Sequence, residues 1–164
     1  MNVDSAGSLR EWILKLEQML QAPISISDSG SAVLRTKGGA LFGIEPIPGD
    51  ASLVFTGRIG TVDAAMTVKT LKALLAVNMS PGLSGFACVG LTPGNDDILL
   101  RLIWTPSEAG WTEGAFASIL AAFAEHVDAL AAALANGEIE KILSVSSVAE
   151  ESAPNLRSDN ETRV

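Results

Sequence analysis

The chain has 164 residues and a formal net charge of −8; 18% of its residues are charged and 48% are hydrophobic. That length suits one domain around a single core, and so low a charged fraction excludes a disordered polypeptide. With a pI near 4.5, the surface potential repels phosphate backbones and anionic lipid, which excludes nucleic acid and membranes as direct partners and favours a neutral or basic one.

Ser8 to Gln21 is predicted as the first helix. Ser8 and Glu11 have capping-box spacing, and Leu9, Trp12, Ile13, Leu16, Met19 and Leu20 share one face. Leu14 breaks this pattern and points toward the polar side, and Pro23 closes the helix. From Ile24 to Ile59 the period changes to two. ISIS reads as a short extended piece, and SAVLRTK, ALFGIEPI and SLVFTGRI read as three strands punctuated by SDSG, KGG and PIPGD. Connections this short demand antiparallel neighbours.

Thr61 to Asn78 is predicted as the second helix, with Thr61 as its N-cap and Asp63 at the positive end of its dipole. Val68, Leu71, Leu74 and Leu75 make one apolar face, and Val62, Met66, Ala73 and Val77 make a second strip. A helix apolar on two sides needs burial from two directions. The sheet supplies one; a second copy of the chain is expected to supply the other, with Val62, Met66, Ala73 and Val77 at the dimer interface. SGFACVGL and DILLRLIW then flank TPGND, a hairpin signal. Thr112 to Ala135 is the third helix, with Phe116, Ile119, Leu120, Phe123, Val127, Leu130 and Leu134 on one stripe and Asn136-Gly137 as its stop.

The expected fold is therefore α+β, an antiparallel twisted sheet with helices packed against it in the order α-β-β-β-α-β-β-α. Residues 1–137 form the domain. Residues 138–164 follow as a flexible polar tail, beyond a short extra turn at EIEKIL.

Motifs for chemistry are sparse. Cys88, the only cysteine, lies between Ala87 and Val89 in a strand and reads as a small buried hydrophobe rather than an activated thiol. His126, the only histidine, sits beside Glu125 and Asp128 on a helix and reads as a solvated side chain. A zinc site needs a His/Cys cluster, so no metal is expected. GLSGF at 82–86 has Phe86 where a nucleophile elbow needs glycine, and KGGALFG lacks the Lys-Ser/Thr ending of a phosphate loop. Asp96-Asp97 reads as a wet hairpin turn. No catalytic residue, cofactor or metal ligand is predicted, and the chain is read as a non-enzyme. No apolar run reaches the roughly 20 residues that span a bilayer. MNVDSAGSLREW lacks the charge and apolar pattern of a secretory signal, and a single cysteine fits a reducing cytoplasm.

From Ser8 to Ala135 the chain resembles the small acidic chaperones of bacterial type III secretion, the Tir-chaperone-like family. LKALLAVNMSPGLSGFACVGLTPGNDDILLRLIW and FASILAAFAEHVDALAAAL carry the resemblance, with LLAVN as the family's Leu-Leu-x-x-Asn helix ending. SDSGSAVLRTKGGALFGIEP is similar to the family's first strands. The resemblance implies a cytoplasmic homodimer that binds the N-terminal region of secreted effector protein(s) in an extended, non-globular state, keeps it export-competent, and hands it to export components of the secretion system. It implies no nucleotide and no chemistry.

The residues permit that role. Strand alternation sets Leu53, Phe55 and Ile59 against Val54, Phe42 and Ile44 against Leu41, and Val33 against Leu34. With the first sets facing the core, Leu34, Leu41 and Val54 face outward. Together with Leu14 they are the expected effector-binding residues, since exposed apolar patches mark binding surfaces. Two alternatives remain open: a dimeric adaptor or regulator of the same fold that binds a folded partner, and a small enzyme that uses Cys88.

Overall fold

A computed structural model describes residues 4–20, 23–63, 66–80 and 85–141. Gln21, the stretch 81–84 that holds most of GLSGF, and the polar tail from 142 onward lie outside these residues.

Helix α1 spans Ser5–Leu20. It starts a turn earlier than the capping-box spacing predicts, because Asp4 provides the cap. The Asp4 carboxylate accepts from the Gly7 amide at 2.9 Å, and its carbonyl accepts from Ser8 at 3.0 Å. Six strands follow: β1 (Ser25–Ile26), β2 (Ala32–Arg35), β3 (Leu41–Pro46), β4 (Leu53–Thr61), β5 (Cys88–Leu91) and β6 (Asp97–Trp104). They form one antiparallel sheet ordered β1-β2-β3-β4-β6-β5. The meander and the hairpin are thus both present, and the long β4 joins them.

The second helix, α2, spans Val68–Val77, and its N-cap is Thr67, whose hydroxyl accepts from the Thr70 amide at 3.1 Å. The expected start at Thr61 is overturned. Thr61 is the last residue of β4 and pairs with Asp97 across a register shift between Arg58 and Gly60. The Val62 amide then donates to the Asp96 carbonyl at 2.7 Å. A β-bulge with its extra residue lets the strand run on where the sequence pattern had turned helical.

Helix α3, Glu113–Ala135, is capped by Thr112 and ends at Asn136, with Gly137 at φ +65°. It lies directly on β4. A Cβ at Gly57 would meet Val127 Cγ2 at 2.4 Å, and one at Gly60 would meet Leu134 Cδ2 at 2.5 Å. These two glycines set how closely the helix approaches. By length and composition α3 is apolar enough to cross a bilayer, yet its Phe116, Leu120, Phe123, Val127, Leu130 and Ala133 are buried in the core. After Gly137 the chain turns back and buries Ile139 as well.

Helices α1, α2 and α3 contribute to one core on one face of the sheet: Leu9 and Ile13 of α1, Leu74 and Val77 of α2, and the α3 stripe meet Phe42, Ile44, Phe55 and Leu100. Trp12, Trp104, Trp111 and Phe116 stack at one end, with Trp12 and Phe116 ring centres 5.0 Å apart and Trp104 and Trp111 5.2 Å apart. Lys15 joins α1 to α3 through Glu113 at 2.7 Å and to Glu11 at 3.0 Å. The hydrogen bond to Glu113, then that to Glu11, raises its ammonium pKa above the ordinary lysine value.

Candidate docking surfaces

Several of the residues with chemical potential serve architecture. Cys88 is exposed, not buried as expected, because β5 turns Ala87 and Val89 to the core and leaves Cys88 on the opposite side. It pairs across the sheet with Arg101, while the sole histidine lies on α3 on the other side. His126 is half-buried instead of solvated: its Nδ1 lies 2.7 Å from the Ala122 carbonyl, and its ring fills the space a side chain at Gly85 would need. Asp128, on α3, accepts from the Thr36 hydroxyl and from the Gly38 amide at 2.7 Å, pinning the β2–β3 turn. Asp97 accepts from Arg58 Nε at 2.6 Å. Among the described residues no group of His, Cys, Asp and Glu is placed to hold a metal.

Asn78 has the most specific structural role. Its Oδ1 accepts from the Val89 amide at 2.6 Å, and its Nδ2 donates to the Val89 carbonyl at 3.2 Å. The side chain thus behaves as one more peptide unit beside β5, the sheet's edge strand, and ties the end of α2 to it. This accounts for an asparagine at the close of LLAVN.

Two surfaces are open. The first is the face of the sheet away from the helices. One rung crosses it as Val33, Gly43, Thr56, Arg101 and Cys88. Val33 (55% exposed), Leu41 (48%) and Ile103 (58%) stand on this face. Of the expected effector-binding residues, Leu41 is here. Val54 points the same way but is only 4% exposed, lying between its cross-strand partners Glu45 and Ile103. Leu34 faces the core at 9% exposure, paired with Phe42, so the alternation on β2 runs one residue out of phase with the expectation and Val33 takes the outward place. Leu14 is 46% exposed but belongs to the helical layer. At the end of β3 this face leads into a groove of 720 Å³ lined by Arg35, Leu41, Arg58, Gly60 and the alanines Ala131, Ala132 and Ala135 of α3. Here β4 overhangs: its pairing with β3 stops at Gly57, while its pairing with β6 continues to Thr61.

The second surface runs along α2 and β5. Val68, Leu75, Met79, Phe86 and Leu91 are all exposed. Leu71, Leu74, Leu75, Val89, Leu91 and Ile98 line an apolar depression of 350 Å³. Helix α2 is apolar on two sides, as its sequence implies, but the sides are exchanged. Ala73 and Val77, expected at a dimer interface, are buried in the chain's own core, and Val62 and Met66 precede the helix and pack against that core. The outward strip is Val68, Leu71 and Leu75. Asn78 draws the last turn of α2 onto Val89, which fixes this rotation.

A family profile for the Tir chaperone proteins matches residues 11–131, most of the described fold. The chain belongs to the Tir chaperone protein (CesT) family. No curated protein matches it in a sequence comparison. Solved structures share the fold at low identity, among them the following three. The "Structure of the HopA1-SchA Chaperone-Effector Complex" aligns at 14% identity and a TM-score of 0.60, covering 79% of this chain and 98% of that one. The "Crystal Structure of the ExsC-ExsE Complex" aligns at 14% and 0.62, covering 76% and 92%. The Yersinia pestis type III secretion chaperone SycH, in complex with a fragment of YscM2, aligns at 20% and 0.53, covering 77% and 98%. The family is one of chaperones, and its matched segment contains the second part of α1, the whole sheet, α2 and most of α3.

Proposed function

We propose that this chaperone-family chain acts in the bacterial cytoplasm on type III secretion effectors, binding the N-terminal region of its client in an extended, non-globular state without bond-making chemistry. The family match over residues 11–131 carries this reading. The chaperone–effector and chaperone–fragment complexes of the same fold support it. The surfaces suit the task. Leu41, Val33 and Ile103 on the bare sheet face, with Leu14 on α1, offer scattered apolar anchors to an extended chain. Each fully buried Leu- or Val-sized side chain contributes about 1.5–3 kcal/mol. Ordering a flexible client costs about 2–5 kcal/mol or more, so several anchors must be engaged together. Val54 forms part of the floor; Leu34 stays in the core.

The α2–β5 strip serves self-association. Val68, Leu71, Leu75 and Leu91 form the two-fold surface of a homodimer, apolar like a core cut in half.

The test is co-expression with a secreted protein encoded beside this chain's gene, followed by hydrogen exchange on the isolated complex. The expected outcome is a client segment that is protected where bound yet lacks the exchange pattern of a globular domain. A partner that keeps its own complete fold in the complex would favour the adaptor reading instead.

A further inference from the structure

The 720 Å³ groove holds an unexpected charge arrangement for so acidic a chain. Of the arginines, Arg35, Arg58 and Arg101 all stand on the bare side of the sheet. Arg35 and Arg58 line the groove itself, on either side of Leu41. Arg35 is exposed and uses Nη1 to donate to the Gly39 carbonyl at 2.9 Å. Arg58 is held by Asp97 through Nε. That contact orients its guanidinium and leaves the terminal nitrogens for another acceptor. Among the described residues the carboxylate lining the groove is Asp128, which accepts from Thr36 and Gly38. The groove therefore presents the Arg35 guanidinium, held by the Gly39 carbonyl, and the terminal nitrogens of Arg58, whose Nε is paired with Asp97.

Its walls also specify a shape. Among the described residues the overhanging stretch of β4 from Ile59 to Thr61 has no strand paired on its β3 side, so its outward peptide groups are available to an added strand. Ala131, Ala132 and Ala135 make the floor low and smooth. An extended segment fits such a slot; a bulky helix does not.

We infer that this groove receives a short extended client segment bearing an Asp or Glu, whose carboxylate is clamped between Arg35 and Arg58 while an aliphatic neighbour rests on Leu41. The inference rests on the chaperone reading and names the client chemistry within it. It reverses the expectation from net charge alone: the −8 total predicts a basic client, whereas the two guanidinium groups at the groove select an acidic one. A local clamp prevails at contact because total charge acts through solvent and is screened within about 8 Å at physiological salt.

The test uses the isotope-labelled full chain and three Ser/Val-rich peptides identical except for a central Glu, Gln or Lys. Amide shifts on titration with the Glu peptide are expected at Gly38–Leu41 and Ile59–Thr61. The Glu peptide should bind several-fold more tightly than the Gln peptide and lose that advantage in high salt. Arg35→Ala with Arg58→Ala should abolish the preference; Arg35→Lys with Arg58→Lys should keep part of it. Both side chains are exposed, and an unchanged circular-dichroism spectrum checks the fold. Equal binding of all three peptides, or shifts confined to α2 and β5, overturns the inference. A double Arg→Glu chain that still retains its natural client at full affinity overturns it too, while leaving the chaperone reading in place. A chain that retains no secreted client in any form removes that reading itself.

Discussion

Gly57→Ala tests the close approach of α3 to β4. The added Cβ would lie 2.4 Å from Val127 Cγ2 and 3.2 Å from Cγ1, well inside the roughly 3.5–4.0 Å at which carbon atoms attract. Val127 is completely buried. As a β-branched residue in a helix it has essentially one comfortable rotamer, so it cannot swing away and α3 must lift from β4. Overpacking of this kind costs about 1–3 kcal/mol. Val127→Ala alone removes two methyl-sized groups and opens a small void, costing roughly 2 kcal/mol. Combined, the two changes relieve each other: the new methyl occupies part of the space the valine vacates. The double variant is expected to lose about 1–2 kcal/mol where simple addition gives about 4, a coupling of about 2–3 kcal/mol. Urea unfolding followed by tryptophan fluorescence reads this, since Trp12, Trp104 and Trp111 sit in one packed cluster. Protein concentration must be held constant because self-association shifts apparent stability. Additive losses would refute the claim that Gly57 exists to admit Val127.

Three further outcomes are expected. Leu75→Glu, on the outward strip of α2, should yield a folded monomer by light scattering, whereas Val77→Glu, fully buried, should fail to fold; a dimeric Leu75→Glu chain would move the interface elsewhere. Asn78→Ala leaves the Val89 amide and carbonyl without partners and should cost about 2–4 kcal/mol, with faster hydrogen exchange at Val89 as its local signature. Leu41→Asp should weaken client capture at least tenfold, measured by competition, with no change in oligomeric state; undiminished capture would take the bare sheet face out of client binding.

The legible parts of the fold are those where sequence period and burial agree without a choice of sign. The α3 stripe repeats Phe116, Leu120, Phe123, Val127 and Leu130 against an alanine back, and those residues are buried. β3 alternates Phe42 and Ile44 against Leu41 and Glu45, and the same residues are in and out. Ambiguity enters where both sides are apolar. On β2, Val33 and Leu34 are adjacent aliphatics, and only pairing with Phe42 decides that Leu34 turns inward. On α2, two apolar strips compete, and periodicity cannot say which meets the sheet. A long-range contact decides it, the grip of Asn78 on Val89, which joins residues 11 apart. The groove was hidden for the same reason. Arg35 and Arg58 are far apart in sequence, and the β4 overhang that brings them to one slot depends on a bulge at Arg58–Gly60. The tie from Asp128 to the β2–β3 turn has no local signal, because its partners, Thr36 and Gly38, lie some ninety positions away.

The placement of the anchors constrains the kind of partner. Leu14 is on the helical layer, whereas Val33, Leu41 and Ile103 are on the bare face behind it. A sheet of six strands about 4.8 Å apart is roughly 24 Å wide, so no compact convex partner touches both sides at once. A chain that engages Leu14 and Leu41 together must leave one layer, round the edge or the end of the sheet, and continue on the other. An extended residue advances about 3.3 Å, so such a path takes on the order of ten residues before the second anchor is reached. A partner that retained its tertiary fold would have to choose one side. Simultaneous loss of affinity in Leu14→Asp and Leu41→Asp, each partial and the two roughly additive, is therefore the expected behaviour of an extended client. If one change abolishes capture and the other leaves it untouched, the partner sits on a single face, and the adaptor reading gains at the expense of the chaperone one.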